Sequence, residues 1–281
     1  MQLFVEHISN IDCSCLDAEH GLIGASWIVD ILLTGQLDEQ GMVMDFGDVK
    51  KLIKNIIDNN LDHTLIIPTQ TNNVTITKKA TSCEIKYKFS KGKIEHISPY
   101  EAVSLIETDT ITLEILEKYL EKIILAALPD NSISVNIKLR EEDIKGANYV
   151  YSHGLKQHQG NCQRIAHGHR SQIKIIADDK RSNILEEKWA SLWHGKYLAN
   201  QIDIKDTFTE NQINYTKFEY QASQGKFQLT IPTACCYLID NETTIEYISQ
   251  YICKTLSKET TSKLQIFAYE GINKGAVSYN S

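Results

Sequence analysis

The feature that most constrains the fold of this chain is an internal repeat. Ser90-Lys91-Gly92-Lys93-Ile94 recurs as Ser223-Gln224-Gly225-Lys226-Phe227, and Pro99 is then matched by Pro232. The other matched pairs are Thr112-Leu113-Glu114 with Thr244-Ile245-Glu246, Glu141 with Glu270, Lys145-Gly146-Ala147 with Lys274-Gly275-Ala276, Val5-Glu6-His7 with Tyr151-Ser152-His153, and Ile23-Gly24-Ala25 with His167-Gly168-His169. Because these matches keep one order in both halves, they indicate two copies of a single domain.

The boundary between the copies is predicted at a turn, Lys145-Gly146-Ala147-Asn148, so that the domains span residues 1–146 and 147–281. Apolar residues at helical spacing predict helices, and alternating patterns predict strands. The helices are expected over residues 48–59, 115–127 and 245–256, and the strands over residues 26–32, 132–140 and 263–269. The order strand, strand, helix, helix, strand predicts an α+β fold, with antiparallel pairing and the helices on one face.

The composition narrows the classes of function. The net charge of −7 argues against nucleic acid as a partner, because phosphate binding needs clustered Lys and Arg. No apolar run is long enough to span a bilayer, and Met1 leads into no signal segment. We therefore expect a cytoplasmic protein with no membrane partner, whose seven cysteines are thiols.

Three histidines in the second half form a candidate metal site. His167-Gly168-His169 lies in a predicted strand, where residues i and i+2 point to the same face. His153 can supply a third ligand from the paired strand of the hairpin. His158 is a rival, but the repeat pairs His153 with His7, which favours His153. Three histidines and one open position are typical of a catalytic zinc site, although the tripeptide alone also occurs in loops and surface strands.

A cysteine lies close to these histidines in the sequence. Cys162 precedes His167 by five residues. Near a divalent cation a thiol loses its proton more readily and can act as a base at neutral pH. The alternative interpretation is a buried core thiol, which is common for free cysteines.

Further motifs carry a family resemblance. The run from Gly41 to Lys50, which reads Gly-Met-Val-Met-Asp-Phe-Gly-Asp-Val-Lys, is followed by Leu61-Asp62-His63. These two motifs resemble the 6-pyruvoyltetrahydropterin synthase and 6-carboxytetrahydropterin synthase family. Cys162 and the three histidines resemble its Cys and His-Gly-His zinc signature. Glu270 and Thr244-Ile245-Glu246 resemble its pterin-anchoring Glu and its Thr-Ser-Glu element.

The resemblance implies a fold, an assembly and a set of roles. The fold is a tandem T-fold (tunnelling fold), in which each domain is a four-stranded antiparallel sheet with two helices on one face. Chains would join as a homo-oligomer that closes a barrel, with active sites between neighbouring domains. The implied roles are zinc binding by His153, His167 and His169, proton removal by Cys162, proton shuttling by Asp62 and His63, and binding of a reduced pterin by Glu270, Glu141, Thr244 and Glu246.

The two halves depart from the family pattern in complementary ways. The first half has Ile23 and Ala25 in place of the zinc pair and Glu19 about where a Cys should stand, yet it keeps Asp62-His63. The second half keeps the zinc histidines but lacks the Leu-Asp-His motif, and Gln224-Gly225 lies roughly where that motif is expected. One composite site can therefore combine zinc from the second half with Asp62-His63 from the first. The alternative is that Asp62 only ties down backbone amides at a helix end.

Three functions stay open at this stage. The leading hypothesis is a zinc-dependent lyase of the 6-pyruvoyl or 6-carboxytetrahydropterin synthase type, acting on a reduced pterin such as dihydroneopterin triphosphate. Its product could enter deazapurine (queuosine) or biopterin-type metabolism. The second is a pterin- or purine-binding T-fold protein whose catalysis has decayed. The third is a cofactor-free oxidase resembling urate oxidase, against which the zinc motif argues.

Overall fold

The computed structural model describes residues 1–128 and 133–280. In the first domain, strands β1 to β8 span Gln2–Asp17, Gly21–Thr34, Leu65–Pro68, Val74–Lys78, Cys83–Phe89, Gly92–Ser98, Val103–Ile106 and Ser134–Arg140, and helices α1 and α2 span Phe46–Asn60 and Leu113–Ala127. In the second, strands β9 to β18 span Asn148–His153, His167–Ala177, Lys180–Arg181, Lys196–Asn200, Ile204–Glu210, Ile213–Ala222, Gly225–Pro232, Cys236–Ile239, Leu264–Tyr269 and Gly275–Tyr279, and helices α3 and α4 span Asn183–Trp193 and Ile245–Leu256.

Helices α1, α2 and α4 form where the apolar spacing predicted them, because each has one buried stripe and a capped start. Asp45 accepts hydrogen bonds from two backbone amides at the start of α1, and Thr112 and Thr244 cap α2 and α4. The predicted strand over residues 132–140 is β8, although Ser132 lies outside the described residues. Helix α3 falls in a stretch for which the sequence analysis made no prediction.

Each domain has a sheet of its own. The first has the order β7-β3-β1-β2-β8, and the second has the order β16-β12-β9-β10-β17-β18, with β11 paired to β10. The α+β class and the tandem layout are therefore confirmed. The four antiparallel strands expected in each domain do not account for the whole sheet. Strands β3 and β12 add to the sheets in parallel with β1 and β9, and β7 and β16 extend them. Both added strands follow a helix, and such a crossover is what a parallel neighbour requires.

A third sheet joins the two domains. Its order is β13-β14-β15-β6-β5-β4, and the seam is the antiparallel pair β6 and β15, where His96 lies opposite Leu229. Side chains from both domains, including Ile85, Ile94 and Phe227, share one buried apolar cluster beneath this sheet. Burial of apolar surface at this seam stabilises the two domains as one unit.

The first hairpins of the two domains also pack closely together. A Cβ atom on Gly24 would lie 1.9 Å from the carbonyl oxygen of Tyr151, and one on Gly168 would lie 2.6 Å from the Cα of Gly24. Only glycine permits this approach of the two backbones. Beside it, Ser14 Oγ donates a hydrogen bond of 2.7 Å to Ser152 Oγ. The two serines are equivalent residues of the repeat, so a local two-fold relation passes between them.

The strand registers correct one match of the sequence analysis. In the second hairpin His153 lies opposite His167, and in the first hairpin Cys15 lies opposite Ile23. Cys15, and not His7, is therefore the counterpart of His153. His7 lies where the register of β1 shifts, with a φ of 52° and an exposed side chain. Matching His7 to His153 by sequence alone was therefore wrong.

Among the described residues, no helix combines the length and apolarity needed to cross a membrane.

Candidate metal and catalytic site

Three buried histidines meet at one end of the second hairpin. His153 ends β9, and His167 and His169 begin β10, with His153 directly across from His167. Their side chains are at most 1% exposed. One ring nitrogen from each lies within 4.8 Å of the others, which suits three ligands of a single ion. The rival ligand His158 is exposed in the connecting loop, where its Nδ1 accepts a hydrogen bond from Gly160.

The hydrogen bonds of these rings determine which nitrogen is free. His153 Nδ1 lies 3.1 Å from the carbonyl oxygen of Thr243, and His167 Nδ1 lies 2.9 Å from that of Arg164. A carbonyl oxygen only accepts, so both Nδ1 atoms donate and both Nε2 atoms keep a lone pair. The Nε2 of His167 has no hydrogen-bond partner among the described residues, and those of His153 and His169 are 3.1 Å apart.

This arrangement fits a zinc ion. Burial, together with the neighbouring imidazoles, lowers the pKa of His153 and His167 well below the usual value, so both rings stay neutral. Neutral imidazoles with converging lone pairs are ligands that zinc prefers. An ion at their meeting point would also satisfy the buried, unpaired Nε2 atom of His167.

The Asp-His pair of the first domain lies beside these histidines in the same chain. It directly follows α1, where Asp62 Oδ2 lies 2.6 Å from His63 Nδ1. The centroid of the His63 ring is 5.1 Å from that of His167 and 6.5 Å from that of His169. Burial opposes protonation of His63, but hydrogen bonds to Asp62 and Cys162 outweigh it and raise its pKa to about 10. The structure thus brings together the parts that the composite interpretation requires.

Cys162 completes the cluster from the loop between β9 and β10. It lies in the 3-10 turn Asn161–Gln163 and is partly buried. Its sulfur and one ring nitrogen each of His63 and His167 lie within 4.8 Å of one another. The expected first-domain counterpart, Glu19, lies in the short exposed turn between β1 and β2, which has no room for such a loop.

The predicted substrate-binding residues lie on the elements around the cluster. Glu270 follows β17 and is partly buried, and its amide donates to the carbonyl of Lys274. Thr244 accepts a hydrogen bond from the amide of Tyr247 at the start of α4, and Glu246 is exposed in the first turn. The neighbouring Thr243 is the residue that holds the His153 ring. The roles of Glu270, Thr244 and Glu246 stay predictions.

Equivalent positions in the first domain line an apolar cavity, which we call the first-domain pocket. It has a volume of about 420 Å³ and contains Cys15, Ile23 and Ala25 where the second domain has histidines. At its rim, Glu141 Oε2 lies 3.3 Å from Arg170 Nε. The carboxylate predicted to bind a pterin is therefore already paired with a guanidinium.

The structure also relocates the second-domain counterpart of Leu61-Asp62-His63. Trp193-His194-Gly195 holds the same place, at the end of α3 and before the parallel strand β12, where the amide of Gly195 donates to the carbonyl of Val150 as that of His63 donates to Asp12. Gln224 lies instead in the turn between β14 and β15, and Gly225 begins β15. Trp193 is buried as Leu61 is, but the exposed His194 and Gly195 stand at the positions of Asp62 and His63, so the Asp-His pair has no equivalent there.

Sequence reasoning missed one acidic residue of the site. Asp12 lies in β1, and its Oδ1 atom is 3.2 Å from His169 Nδ1. Burial opposes its ionisation, but His169 and Lys274 outweigh burial, so its pKa lies well below the usual value. A single acidic residue in a strand pattern gives no local signal of such a contact.

Fold and site together define a tandem α+β protein whose described residues include a buried three-histidine cluster and an adjoining Cys-His-Asp set. The family model of 6-pyruvoyl tetrahydropterin synthase matches this chain twice, over residues 10–150 and 144–280. The chain therefore belongs to that family and carries two copies of its domain.

Solved structures of two Plasmodium proteins are similar to part of the chain. The 6-pyruvoyltetrahydropterin synthase of Plasmodium vivax is 20% identical with a TM-score of 0.42, and the match covers 52% of this chain and 93% of that one. The 6-pyruvoyl tetrahydropterin synthase of Plasmodium falciparum is 20% identical with a TM-score of 0.39, and the match covers 50% and 97%. A search of curated proteins found no relative of this chain.

Proposed function

We propose that the chain is a zinc-dependent lyase acting on a reduced pterin, such as dihydroneopterin triphosphate, in one site built from both domains. The observation that carries the proposal is the proximity of Cys162 and His63 to the three buried histidines. Family membership supports the pterin as the class of substrate. A metal ion held by three histidines, a thiol and an oriented imidazole form the set of groups that proton transfer at an activated carbon needs.

Each residue has a distinct task in the proposed reaction. When bound, zinc supplies a Lewis acid and a template for the oxygen-bearing side chain of the pterin. Cys162 removes a proton from that side chain as general base. His63 is the proton donor of the set, because Asp62 holds its Nδ1 and leaves Nε2 to face the reacting atoms. Glu270 accepts hydrogen bonds from the amino and ring N–H groups of the pterin.

Assembly, location and metabolic context follow as finer parts of the proposal. Strands β8 and β18 are edges of the two domain sheets, and open edges are normally covered or paired. This supports a homo-oligomer whose chains close a barrel. All seven cysteines lie within the described residues and are thiols, which supports a reducing, cytoplasmic compartment. The product would enter deazapurine (queuosine) or biopterin-type metabolism.

The other two hypotheses have less support. A decayed binding protein has no need of a complete set of catalytic groups, and here the set is together in one chain. Family membership argues against the cofactor-free oxidase.

The test is turnover of a reduced pterin by the purified chain and two matched histidine variants. His63→Ala should lower kcat by about 100-fold or more, as loss of a general acid does, while zinc content stays unchanged. His194→Ala, at the exposed second-domain position equivalent to Asp62, should leave both unchanged. Zinc-loaded protein that binds reduced pterins without turning any over would instead identify a decayed binding protein.

A further inference from the structure

The buried carboxylate of Asp12 lies at the interface of the two domains and contacts parts of the site from both. Its side chain is 4% exposed. Oδ1 lies 3.2 Å from His169 Nδ1, a distance that suits a hydrogen bond although the alignment of the pair is poor. Oδ2 lies 3.2 Å from Lys274 Nζ. Asp12 belongs to the first domain, whereas His169 and Lys274 belong to the second.

The histidine contacts follow one pattern. The Nδ1 atoms of His153 and His167 face backbone carbonyls of the second domain, and the Nδ1 atom of His169 faces the carboxylate of Asp12. A histidine that binds a metal through one nitrogen is normally oriented by an acceptor at the other, and a carboxylate also makes it a stronger ligand.

We propose that Asp12 is a positioning residue for the metal, which orients and strengthens His169 as a ligand from the opposite domain. This inference rests on the proposed function, because it takes the three histidines to be the metal site. It makes the first domain part of the metal site itself.

The carboxylate is held in place by its neighbours. Ser26 Oγ donates a hydrogen bond of 2.5 Å to Oδ1. Gly271 approaches so closely that a Cβ atom there would lie 2.5 Å from Oδ1. A carboxylate fixed on several sides has few alternative rotamers, and a rigid acceptor orients a ring better than a mobile one.

The backbone of Asp12 contacts the Asp-His pair as well. Its amide donates a hydrogen bond of 2.8 Å to Asp62 Oδ1, and its carbonyl accepts one of 2.7 Å from the amide of His63. This second contact helps to hold His63 at a φ of 54°, a left-handed conformation that is unusual for histidine. One residue thus positions a metal ligand through its side chain and the proton donor through its backbone.

The first-domain pocket supplies an independent comparison. Asp12 lies opposite Ser26, and Val150 lies opposite Arg170, so Val150 is the counterpart of Asp12. Val150 lines the pocket that has no histidine cluster. The carboxylate occurs where the metal ligands occur, and it is replaced by an apolar side chain where they are replaced.

Two measurements on the full chain test the proposal. Competition with a chromophoric chelator gives the zinc affinity, and the visible spectrum of the cobalt-substituted protein reports the geometry of the ligands. Asp12→Ala should weaken zinc binding by about 100-fold, and Asp12→Asn by about 10-fold because an amide oxygen accepts without a charge. The cobalt spectrum should change with each. Lys274→Met removes the ion pair and should keep the affinity and spectrum of the unaltered chain.

Two results would overturn the assignment while the proposed function stands: unchanged affinity in Asp12→Ala, or an equal loss in Lys274→Met, which would identify an ion pair as the only role. If the Asp12 variants do not fold, Ser26→Ala should still give a smaller loss of affinity, and no loss would count against the proposal. An unaltered chain that does not bind zinc would overturn both proposals.

Discussion

The three-histidine cluster of the second domain, which we call the second-domain site, and the first-domain pocket occupy equivalent places in the repeat. They differ in the ligands that their side chains can bind. Where the second domain has three histidines, the first has Cys15, Ile23 and Ala25. The first domain nevertheless supplies Asp62 and His63 to the neighbouring site. The comparison shows that a domain without a histidine cluster of its own can still contribute part of the group of side chains around its neighbour's cluster.

The carboxylates of the two places differ as well. Arg170 in the first-domain pocket is the counterpart of Ser26, and its guanidinium pairs with Glu141. In the second-domain site the corresponding position holds the short side chain of Ser26, which donates to Asp12. Arg170 therefore brings a guanidinium to Glu141 that the short side chain of Ser26 cannot bring to Glu270.

The largest effect is expected where the metal ligands differ. His167→Ala should reduce zinc from about one ion per chain to almost none, because two histidines hold zinc poorly. Ile23→Ala, at the equivalent place in the first domain, should leave zinc unchanged. Elemental analysis of the purified proteins measures both, and chelation should also lower the melting temperature of the unaltered chain. Zinc retained by His167→Ala, or two ions per chain, would contradict this distinction.

The next effect concerns the two glutamates. Glu270→Gln should raise KM for the reduced pterin by about 10- to 100-fold, since a hydrogen bond to a charged group contributes about 1.5 to 3 kcal/mol. Glu141→Gln should leave KM unchanged, because Arg170 already pairs with that carboxylate. Steady-state kinetics of both variants gives the comparison. Equal effects of the two changes would mean that both places bind the pterin.

The sequence predicted what local patterns determine. Helices α1 and α4 follow from apolar spacing and caps, and the histidine cluster follows from strand alternation and hairpin distance. The seam between β6 and β15 depends on residues far apart in the chain, which no local pattern records. Helix α3 was missed because its buried side includes the acidic Glu186, which interrupts the apolar pattern. Asp12 was missed because its partners come from the other domain.

The smallest expected effect tests the seam, where equivalent positions carry different side chains. His96 in β6 faces its own counterpart, Leu229 in β15. The ring is 1% exposed, and neither of its nitrogens has a hydrogen-bond partner among the described residues. Burial lowers the pKa of His96 from 6.5 to about 4. The folded protein therefore holds this ring neutral at pH values where the unfolded chain protonates it.

The sign of the pH dependence follows from that difference. As pH falls from 6.5 towards 4, the unfolded state gains a proton that the folded state does not bind, so the free energy of unfolding falls by about 2 to 3 kcal/mol. His96→Leu should remove this loss and make the seam symmetric, while His20→Leu, at an exposed position, should not. Denaturant unfolding at pH 7 and pH 4.5 measures this loss. The quantity to compare is the difference in the free energy of unfolding between each variant and the unaltered chain at the same pH, in which the contributions of other groups cancel. If that difference is the same at both pH values, His96 does not carry the acid sensitivity of the seam.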